Sequence, residues 1–421
     1  MRHSMKKRTT FIVSLSCLFL YKDNQVSGAM VSEASTSPPA VEIVPPLEHQ
    51  KSSTTRAFTH HVVVHFDINE TILVGDEAGG DTRSDCLNKI LAKSAFVRMP
   101  PDHQVSYDET SSLEPTHWWN GTPLQSMQSS DNDKPTATTA AATTTTTPPP
   151  LYIGWQWPEG CCPYYRTAFK KKAKTFTQHD GRPYRHLRQQ LDQILQAHSV
   201  SGLPALDHMI PAFFHTLQVL SKTPQKKTIV LRTFGTDLPD VAQAVTAFAQ
   251  GRHPDYPNFG DPRLVLKPDT LVQGRWIQHA DGTTVYQLYR NDQLVAAGDA
   301  QVLEFIHGHD ILGIQDDYPF WQRAAYEPWA GKPVWKLPNI QHIILDDNIH
   351  NLEKDSIASV RRPTADGGYE CLSDYDILQE HGRHLIRVPT IAPILHQTWF
   401  LEAIQEAQEN FVKSLLVTET S

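Results

Sequence analysis

The chain has 421 residues, of which 39% are hydrophobic and 20% charged, and its formal net charge at pH 7 is −8. This length is sufficient for two domains, or for one domain with a large insertion. The net negative charge argues against nucleic acid as a partner, because binding to a phosphate backbone depends on clustered lysine and arginine. We attribute the modest hydrophobic content to polar tracts rather than to a weak core.

Residues 1–29 have the pattern of a secretory signal peptide. Residues 1–8 are basic, residues 11–21 form an apolar run that is shorter than a typical membrane span, and small residues favour cleavage after Ala29. We therefore predict an extracellular protein, or one that reaches an internal compartment through the secretory pathway, with no membrane attachment after signal removal. An uncleaved anchor near the start of the chain is the alternative.

Four cysteines follow this segment, namely Cys86, Cys161, Cys162 and Cys371. Their spacing matches no zinc pattern. The adjacent pair at 161–162 would be strained if bonded to itself, whereas a bridge from it to Cys86 or Cys371 is open in an oxidising compartment. Asn120 begins a glycosylation sequon in a polar stretch.

The first part of the chain alternates between structured and polar segments. Residues 30–57 are rich in serine, threonine and proline, which predicts a disordered leader. A valine-rich run at 61–66 is typical of a buried strand, and apolar residues at helical spacing predict a helix over 83–97. Residues 99–150 are low in complexity, which predicts a disordered insertion whose tryptophan pair at 118–119 can dock on the core.

The second part of the chain alternates between helical and strand patterns. Helices are predicted at 184–198, 206–221, 238–250, 299–308 and 395–416. Buried strands are predicted at 228–232, 341–345 and 384–388, and a small hairpin-rich sheet at 274–297. Short apolar strands separated by helices indicate an α/β fold, with a parallel sheet covered by helices on both faces.

Polar residues follow three of these strands. Asp67 ends the first, Thr233 ends the second, and Asp346 and Asp347 end the third. In a parallel sheet these ends lie along one edge, where ligands bind. Two adjacent carboxylates are costly without a cation, which itself indicates a metal at this edge.

The segment Asp67-Ile68-Asn69-Glu70-Thr71, together with Thr233 and Asp346-Asp347, resembles motifs I, II and IV of the haloacid dehalogenase-like (HAD) hydrolase superfamily. The order and strand context match across about residues 60–390. The resemblance implies a Rossmannoid parallel sheet with cap insertions, in the positions of a C1 cap and a C2 cap. On this basis we divide the chain into a signal peptide (1–29), a disordered leader (30–57), a first core segment (58–98), a low-complexity insertion (99–150), a helical cap-like insertion (151–227) and the remaining core (228–421), with a small hairpin-rich insertion at about 262–300.

The resemblance also implies the chemistry of the site. Asp67 would be the nucleophile that forms an aspartyl-phosphate with a small phosphorylated substrate. Mg²⁺ would be held by the Asp67 carboxylate, the Asn69 backbone carbonyl and the carboxylates of Asp346 and Asp347, of which Asp347 is expected to bind directly and Asp346 through water. The phosphoryl group would be bound by Asn69, Thr71, Thr233 and a motif III lysine. We choose Lys332, in a Gly-Lys-Pro context, over Lys336.

Asn69 departs from the pattern of the family's phosphatases, which have a second aspartate at this position. An amide cannot titrate, and loss of a general acid–base group typically costs on the order of 10²–10⁴ in rate. Glu70, His65 and His350 are local candidates for the missing role. The first hypothesis is therefore a Mg²⁺-dependent phosphatase, the second is a catalytically impaired binding protein, and a weaker third is a hydrolase of another bond, such as carbon–halogen.

Two further polar clusters lie outside the strand ends. Residues 152–185 mix aromatic side chains with lysines, for which an aromatic mini-core with a solvated basic face is favoured over a site for an acidic ligand. The other cluster precedes Lys332, and a solvated loop is favoured there over a second metal site. Its members are His307, His309, Asp310, Asp316 and Asp317.

Overall fold

The computed structural model describes residues 43–44, 60–75, 80–100, 112–124, 151–196, 203–350 and 356–419. The predicted signal peptide and most of the predicted leader lie outside these residues. Within the leader, Ile43–Val44 pairs with Leu151–Tyr152 in a short parallel ladder, so this part of the leader is paired with the folded chain.

The described residues form both strands and helices. The strands are β1 (Ile43–Val44), β2 (His61–Asp67), β3 (Phe96–Arg98), β4 (Leu151–Tyr152), β5 (Cys161–Pro163), β6 (Lys227–Thr233), β7 (Leu271–Gln278), β8 (Thr284–Arg290), β9 (Gln293–Ala297), β10 (Ile311–Gln315), β11 (Lys332–Trp335), β12 (Ile340–Asp346), β13 (Ala358–Pro363), β14 (Tyr369–Cys371) and β15 (Leu385–Arg387). The α-helices are α1 (Arg83–Ser94), α2 (Arg185–Gln196), α3 (Pro211–Lys222), α4 (Leu238–Ala249), α5 (Gly298–His307), α6 (Tyr318–Arg323), α7 (Asp374–Leu378), α8 (Ile391–Leu395) and α9 (Trp399–Glu419). Short 3₁₀ helices cover Tyr164–Arg166, Ala168–Gln178, Arg182–Tyr184, Pro204–His208, Pro262–Leu264, Pro268–Thr270 and Pro328–Ala330.

An eight-stranded sheet forms the centre of the molecule, in the order β15-β12-β2-β6-β10-β7-β8-β9. The six strands from β15 to β7 are parallel, and β8 and β9 continue the sheet in antiparallel fashion. This topology confirms the predicted α/β class with a mostly parallel sheet. The predicted strands at 61–66, 228–232, 341–345 and 384–388 correspond to β2, β6, β12 and β15.

Alternate residues of β2 contribute to hydrophobic clusters on opposite faces of the sheet. Val62, Val64 and Phe66 belong to a cluster that includes residues of α1, α3, α4 and α9. Val63 belongs to another cluster, which includes residues of α5, α6 and α7. Because helices cover both faces, the strand is buried whichever way its side chains point, which explains the uninterrupted valine run.

The hairpins of the small hairpin-rich sheet predicted at 274–297 extend the central sheet. β7 pairs in parallel with β10, through Gly313 opposite Leu271 and Ile314 opposite Val272. In β7, Val272, Gly274 and Trp276 are buried, whereas the residues between them are more exposed. One buried face and one solvated face are typical of an antiparallel extension at a sheet edge. The alternation of apolar and polar residues predicts these strands correctly, but it does not predict that β7 pairs with β10.

Part of the predicted disordered insertion is folded. Residues 112–124 are described, and Trp118 is only 4% exposed. Its ring contacts those of Tyr164, Phe176 and Tyr184, at centroid distances of 6.1, 6.4 and 6.4 Å. The prediction of disorder for 99–150 is therefore wrong for this segment, because a buried indole outweighs the polar composition around it. Residues 101–111 and 125–150 lie outside the described part.

The aromatic mini-core favoured for residues 152–185 is present, since Tyr164, Phe176 and Tyr184 are all buried. No disulfide joins the four cysteines of the described residues, so the bridge from Cys161 or Cys162 to Cys86 or Cys371 is not formed. Among the described helices, none combines the length and the apolar character needed to cross a membrane.

Candidate functional site

The polar strand ends meet at one edge of the central sheet. β2 lies between β12 and β6, and all three are parallel. Their registers place Leu345 opposite Phe66, and Asp67 opposite Arg232. The residues at or just after these positions are Asp67, Thr233 and Asp346, so the fold gathers them at the carboxyl edge, as expected for parallel neighbours.

Three carboxylates form the centre of this edge. One oxygen each from Asp67, Asp346 and Asp347 lie within 4.8 Å of one another. Asp67 and Asp346 are buried, and Asp347 is half-buried. Burial, followed by repulsion from Asp346, raises the pKa of Asp67 well above its ordinary value despite the nearby Lys332. Carboxylates held together in this way bind a proton or a cation readily, and hard oxygen ligands suit Mg²⁺.

Lys332 provides the buried positive charge of the site. Its Nζ atom is 2.5 Å from Asp67 Oδ1 and 2.8 Å from Asp346 Oδ2. Burial alone would lower the pKa of Lys332, but the carboxylates of Asp346 and Asp67 outweigh it and raise the pKa above its ordinary value. The other lysine considered, Lys336, instead pairs with Glu380 at 2.7 Å. The structure therefore brings Lys332 to this edge, and Lys336 to another part of the molecule.

Lys93 and Thr71 both contact Asp347, in the turn that follows β12. Lys93 Nζ is 2.8 Å from Asp347 Oδ2 and 2.6 Å from Glu70 Oε2. The backbone amide of Asp347 donates to Thr71 Oγ1 at 3.2 Å. Glu70 has a left-handed backbone with φ of 58°, and its carbonyl accepts a hydrogen bond from the Thr390 hydroxyl. These contacts join the loop after β2 to the turn after β12.

The side chain of Asn69 bridges two polar groups beside the carboxylates. Thr233 Oγ1 donates to Asn69 Oδ1 at 3.0 Å and accepts from the amide of Gly235 at 2.8 Å. Asn69 Nδ2 donates to Asp237 Oδ2 at 3.0 Å. Asp237 directly precedes α4, in the position of a helix cap, yet its side chain makes no capping hydrogen bond to this helix. The local sequence does not reveal that Asp237 lies beside Asn69.

Arg232 connects the strands that carry the site. It is fully buried, and its Nε and Nη2 donate to the two carboxylate oxygens of Asp316 at 2.8 and 2.6 Å. Its Nη1 donates to the carbonyl of Pro333 at 3.0 Å. Because Arg232 precedes Thr233 and Pro333 follows Lys332, this side chain fixes the two residues relative to each other.

A chain of three histidines, of which His65 and His342 are buried and His307 is half-buried, extends away from Arg232. Arg232 Nη1 lies 3.3 Å from His65 Nδ1, His65 Nε2 lies 3.0 Å from His342 Nδ1, and His342 Nε2 lies 3.0 Å from His307 Nε2. An arginine side chain can only donate hydrogen bonds, so His65 Nδ1 accepts one from Arg232. His65 Nε2 then donates to His342 Nδ1, and His342 Nε2 donates to His307 Nε2. Burial lowers the pKa of His65 and of His342 well below the ordinary value. These rings are therefore neutral at physiological pH.

The three local candidates for acid–base chemistry are each engaged with other groups. Glu70 pairs with Lys93 at 2.6 Å. His65 belongs to the histidine chain, and the ring of His350 packs on Trp157 at a centroid distance of 5.4 Å.

The polar cluster before Lys332 does not form a second metal site. Asp316 is buried against Arg232, Asp317 accepts hydrogen bonds from the amides of Phe320 and Trp276, and His307 joins the histidine chain. The interpretation of this cluster as a solvated loop is also wrong for Asp316, because its carboxylate is buried in an ion pair with the guanidinium of Arg232. Among the described residues, the only group suited to holding a metal is that of Asp67, Asp346 and Asp347.

Comparison of the chain with protein-family models, with curated proteins and with solved structures finds no match.

Proposed function

We propose that the chain is a HAD-like hydrolase that cleaves a phosphate ester of a small molecule in a Mg²⁺-dependent reaction, with Asp67 as the nucleophile. The observation that carries this proposal is the arrangement of Asp67 at the carboxyl end of a central parallel strand, with Lys332 at 2.5 Å and two further carboxylates within reach of one ion. A nucleophilic carboxylate needs no base to activate it, but it needs positive charge around it when the substrate is an anion.

Each residue of the site has a distinct role in this proposal. Asp67 attacks phosphorus, so that a bond from its carboxylate oxygen forms as the ester oxygen departs. Lys332, which already contacts Asp67 and Asp346, neutralises charge on the phosphoryl group. When a phosphoryl group binds, the Thr233 hydroxyl turns from Asn69 and donates to a phosphoryl oxygen, while the amide of Gly235 still donates to Thr233 Oγ1.

The carboxylates of Asp67, Asp346 and Asp347, with the backbone carbonyl of Asn69, would hold the Mg²⁺. When bound, the ion would screen the negative charge of the phosphoryl group. The donor set fits this role, since it consists of hard oxygens whose mutual repulsion a divalent cation relieves.

The second candidate is a binding protein with this fold and no turnover. It is favoured by one observation, namely the amide of Asn69 in the position where the resemblance places a titrating aspartate. Such a protein would bind Mg²⁺ and a phosphorylated ligand without cleaving the ester.

A panel of phosphate esters separates these candidates. The purified full chain is assayed with Mg²⁺, with EDTA, and as the Asp67→Asn variant, with Asp240→Asn on the exposed side of α4 as the matched control. We expect release of phosphate that is lost in EDTA and reduced by at least about 10³-fold in Asp67→Asn, because the nucleophile is removed. Absence of turnover on every ester, with Mg²⁺ still raising the Tm, would support the binding protein instead.

A further inference from the structure

An aromatic cluster lies beside the carboxylates, and the reaction described above gives it no role. It consists of Phe234, Tyr318, Trp321 and Tyr326. The ring of Phe234 stacks on that of Trp321 with centroids 5.1 Å apart, and the ring of Tyr318 meets that of Phe234 edge-on at 5.7 Å. The ring of Tyr326 packs edge-on against Trp321 at 5.2 Å. Aromatic rings attract one another at these distances and tilts, so the four side chains form one packed group.

The aromatic cluster is adjacent to the proposed nucleophile. Lys332 Nζ lies 5.2 Å from the centroid of the Phe234 ring, and the same atom lies 2.5 Å from Asp67 Oδ1. Phe234 also follows Thr233 directly, whose hydroxyl is proposed to bind the phosphoryl group. A phosphoryl group held by Asp67, Lys332 and Thr233 therefore has its ester oxygen within reach of these rings.

Hydrogen bonds between strand ends fix the position of Tyr318 relative to Thr233. The amide of Asp316 donates to the carbonyl of Thr233 at 2.7 Å, and the amide of Tyr318 donates to the carbonyl of Asp316 at 3.1 Å. One oxygen of Asp317 caps α6, and the other accepts from the amide of Trp276 in β7 at 3.1 Å. The start of α6 is therefore bound to both strands that flank β10.

The aromatic cluster combines a buried ring with accessible ones. Trp321 is 4% exposed, whereas Tyr318 is 38% exposed and Phe234 is half-buried. A tyrosine that packs on buried rings offers contact area to a ligand at a low cost in conformational entropy, because its side chain has only two rotatable bonds. The cluster therefore suits a planar aromatic group joined to the phosphoryl group.

The chemistry of Asn69 favours the same kind of group. When the P–O bond of an alkyl ester breaks, the departing alkoxide needs a proton from an acid, and the amide of Asn69 is not an acid. The oxygen of an aryl ester differs, since its negative charge spreads into the ring and the aryl oxide is a much weaker base. Such a group leaves without a proton donor. The cluster and the amide are independent features, and both indicate an aryl leaving group.

We propose that the aromatic cluster binds the ring of an aryl phosphate, and that aryl phosphates are the substrate class of this site. The inference rests on the proposed function and deepens it. In the first step, a carboxylate oxygen of Asp67 bonds to phosphorus, and the P–O bond to the aryl group breaks with its electron pair on the departing aryl oxide. In the second step, the oxygen of a water molecule bonds to phosphorus and its proton passes to solvent. The P–O bond to Asp67 then breaks with its electron pair on the carboxylate, which releases inorganic phosphate.

Calorimetry with uncleavable ligands tests the ring site without turnover. Benzylphosphonate carries a methylene in place of the ester oxygen of phenyl phosphate, and methylphosphonate lacks the ring. In Mg²⁺ we expect the full chain to bind benzylphosphonate at least about tenfold more tightly than methylphosphonate, because the ring is buried against the cluster. We expect Tyr318→Ala to weaken the binding of benzylphosphonate by about 3- to 10-fold and to leave that of methylphosphonate within about twofold of the wild type.

A conservative variant and a matched control accompany this measurement. Tyr318→Phe keeps the ring and loses only the hydroxyl, so we expect it to retain the wild-type affinity for benzylphosphonate within about twofold. Tyr375→Ala removes a tyrosine that is 72% exposed on α7, and we expect it to change neither affinity. Phe234→Leu serves as a second test variant, with the same expected loss, if Tyr318→Ala does not fold as judged from its Tm.

Turnover by the full chain in Mg²⁺ tests the substrate class. Phenyl phosphate and cyclohexyl phosphate both carry a six-membered ring, but only the first releases an aryl oxide. We expect kcat for phenyl phosphate to exceed that for cyclohexyl phosphate by at least about 10²-fold, the lower end of what a general acid contributes. We expect Tyr318→Ala to lower kcat/KM for phenyl phosphate by about 3- to 10-fold.

Three results would overturn the proposal. If benzylphosphonate binds no more tightly than methylphosphonate, or if Tyr318→Ala leaves its affinity unchanged, the cluster does not bind a ring, although the proposed function stands when another ester is cleaved. Equal kcat on the two esters would show that the leaving oxygen receives a proton, which rules out aryl phosphates as the substrate class. If no ester shows Asp67-dependent turnover, the proposed function fails and the substrate class fails with it, whereas the calorimetry still decides whether the cluster binds a ring.

Discussion

Replacement of Lys332 by methionine tests the electrostatics of the site. Lys332 is the buried cation between Asp67 and Asp346, and its side chain is 1% exposed. Removal of one partner from a buried ion pair costs about 3–5 kcal/mol, because an uncompensated charge stays in the interior. We therefore expect Lys332→Met to lower the free energy of unfolding by about 3–5 kcal/mol at neutral pH in EDTA.

Mg²⁺ and acid should each reduce this loss. The Lys332 ammonium and a cation compensate the same carboxylates, so the variant should bind Mg²⁺ more tightly than the wild type does, and Mg²⁺ should recover part of the difference between them. A cation present at 100 times its Kd stabilises a folded protein by about 2.7 kcal/mol. Burial and the neighbouring Asp346 raise the pKa of Asp67, so its folded carboxyl binds a proton more readily than the unfolded one does. Lys332 is the cation that lowers this pKa, so its removal raises the pKa of Asp67 further, and a lower pH should stabilise the variant more than the wild type and shrink the difference.

The assay is urea unfolding of both proteins in EDTA and in Mg²⁺, with Lys336→Met as the matched control. Lys336 pairs with Glu380 but is 41% exposed, and Glu380 keeps a second partner in Arg383 at 2.8 Å. Although the side chain of Glu380 is buried, it keeps Arg383 as a partner, so the control should lose much less stability than Lys332→Met does. If Lys332→Met lowers the free energy of unfolding by no more than Lys336→Met does, Lys332 does not compensate the buried carboxylates of Asp67 and Asp346 as described.

Two other predictions concern the fold around the site. Because burial lowers the pKa of His65 and His342 well below the unfolded value of about 6.5, the unfolded chain binds protons there as the pH falls below this value and the folded chain does not. The urea midpoint should therefore fall between pH 7 and pH 5, and an unchanged midpoint would contradict the buried histidine chain. Trp118→Ala should lower the free energy of unfolding by about 3–5 kcal/mol, since it empties a buried aromatic site, whereas the half-buried Trp119→Ala should cost less. Equal small losses in the two variants would show that residues 112–124 do not dock as described.

Local sequence patterns predicted much of the central sheet. The valine run of β2 and the apolar runs of β6 and β12 are buried on both sides, so their composition alone identifies them as strands of a parallel sheet. The same patterns located Asp67, Thr233 and Asp346, because a strand end is a local feature and parallel strands bring their ends together.

Features that depend on distant partners could not be predicted in this way. His65 and His342 are 277 positions apart, and neither the acid–base role considered for His65 nor the strand predicted around His342 indicates that their rings meet. Asp237 followed the usual pattern of a helix cap, and only the fold reveals that it contacts Asn69 instead. The strands of the 274–297 hairpins were predicted from the alternation of apolar and polar residues. That alternation does not show which strand of another sheet they pair with, so the pairing of β7 with β10 could not be predicted.

The central claim is that Asp67 forms a covalent bond to phosphorus. The most direct measurement is to mix the full chain with Mg²⁺ and a ³²P-labelled phosphate ester, quench in acid within milliseconds, and map the label by proteolysis and mass spectrometry. We expect label on the peptide that contains Asp67, removed by hydroxylamine as an acyl phosphate and absent from Asp67→Asn. Turnover that leaves no labelled enzyme, or label on another residue, would contradict it.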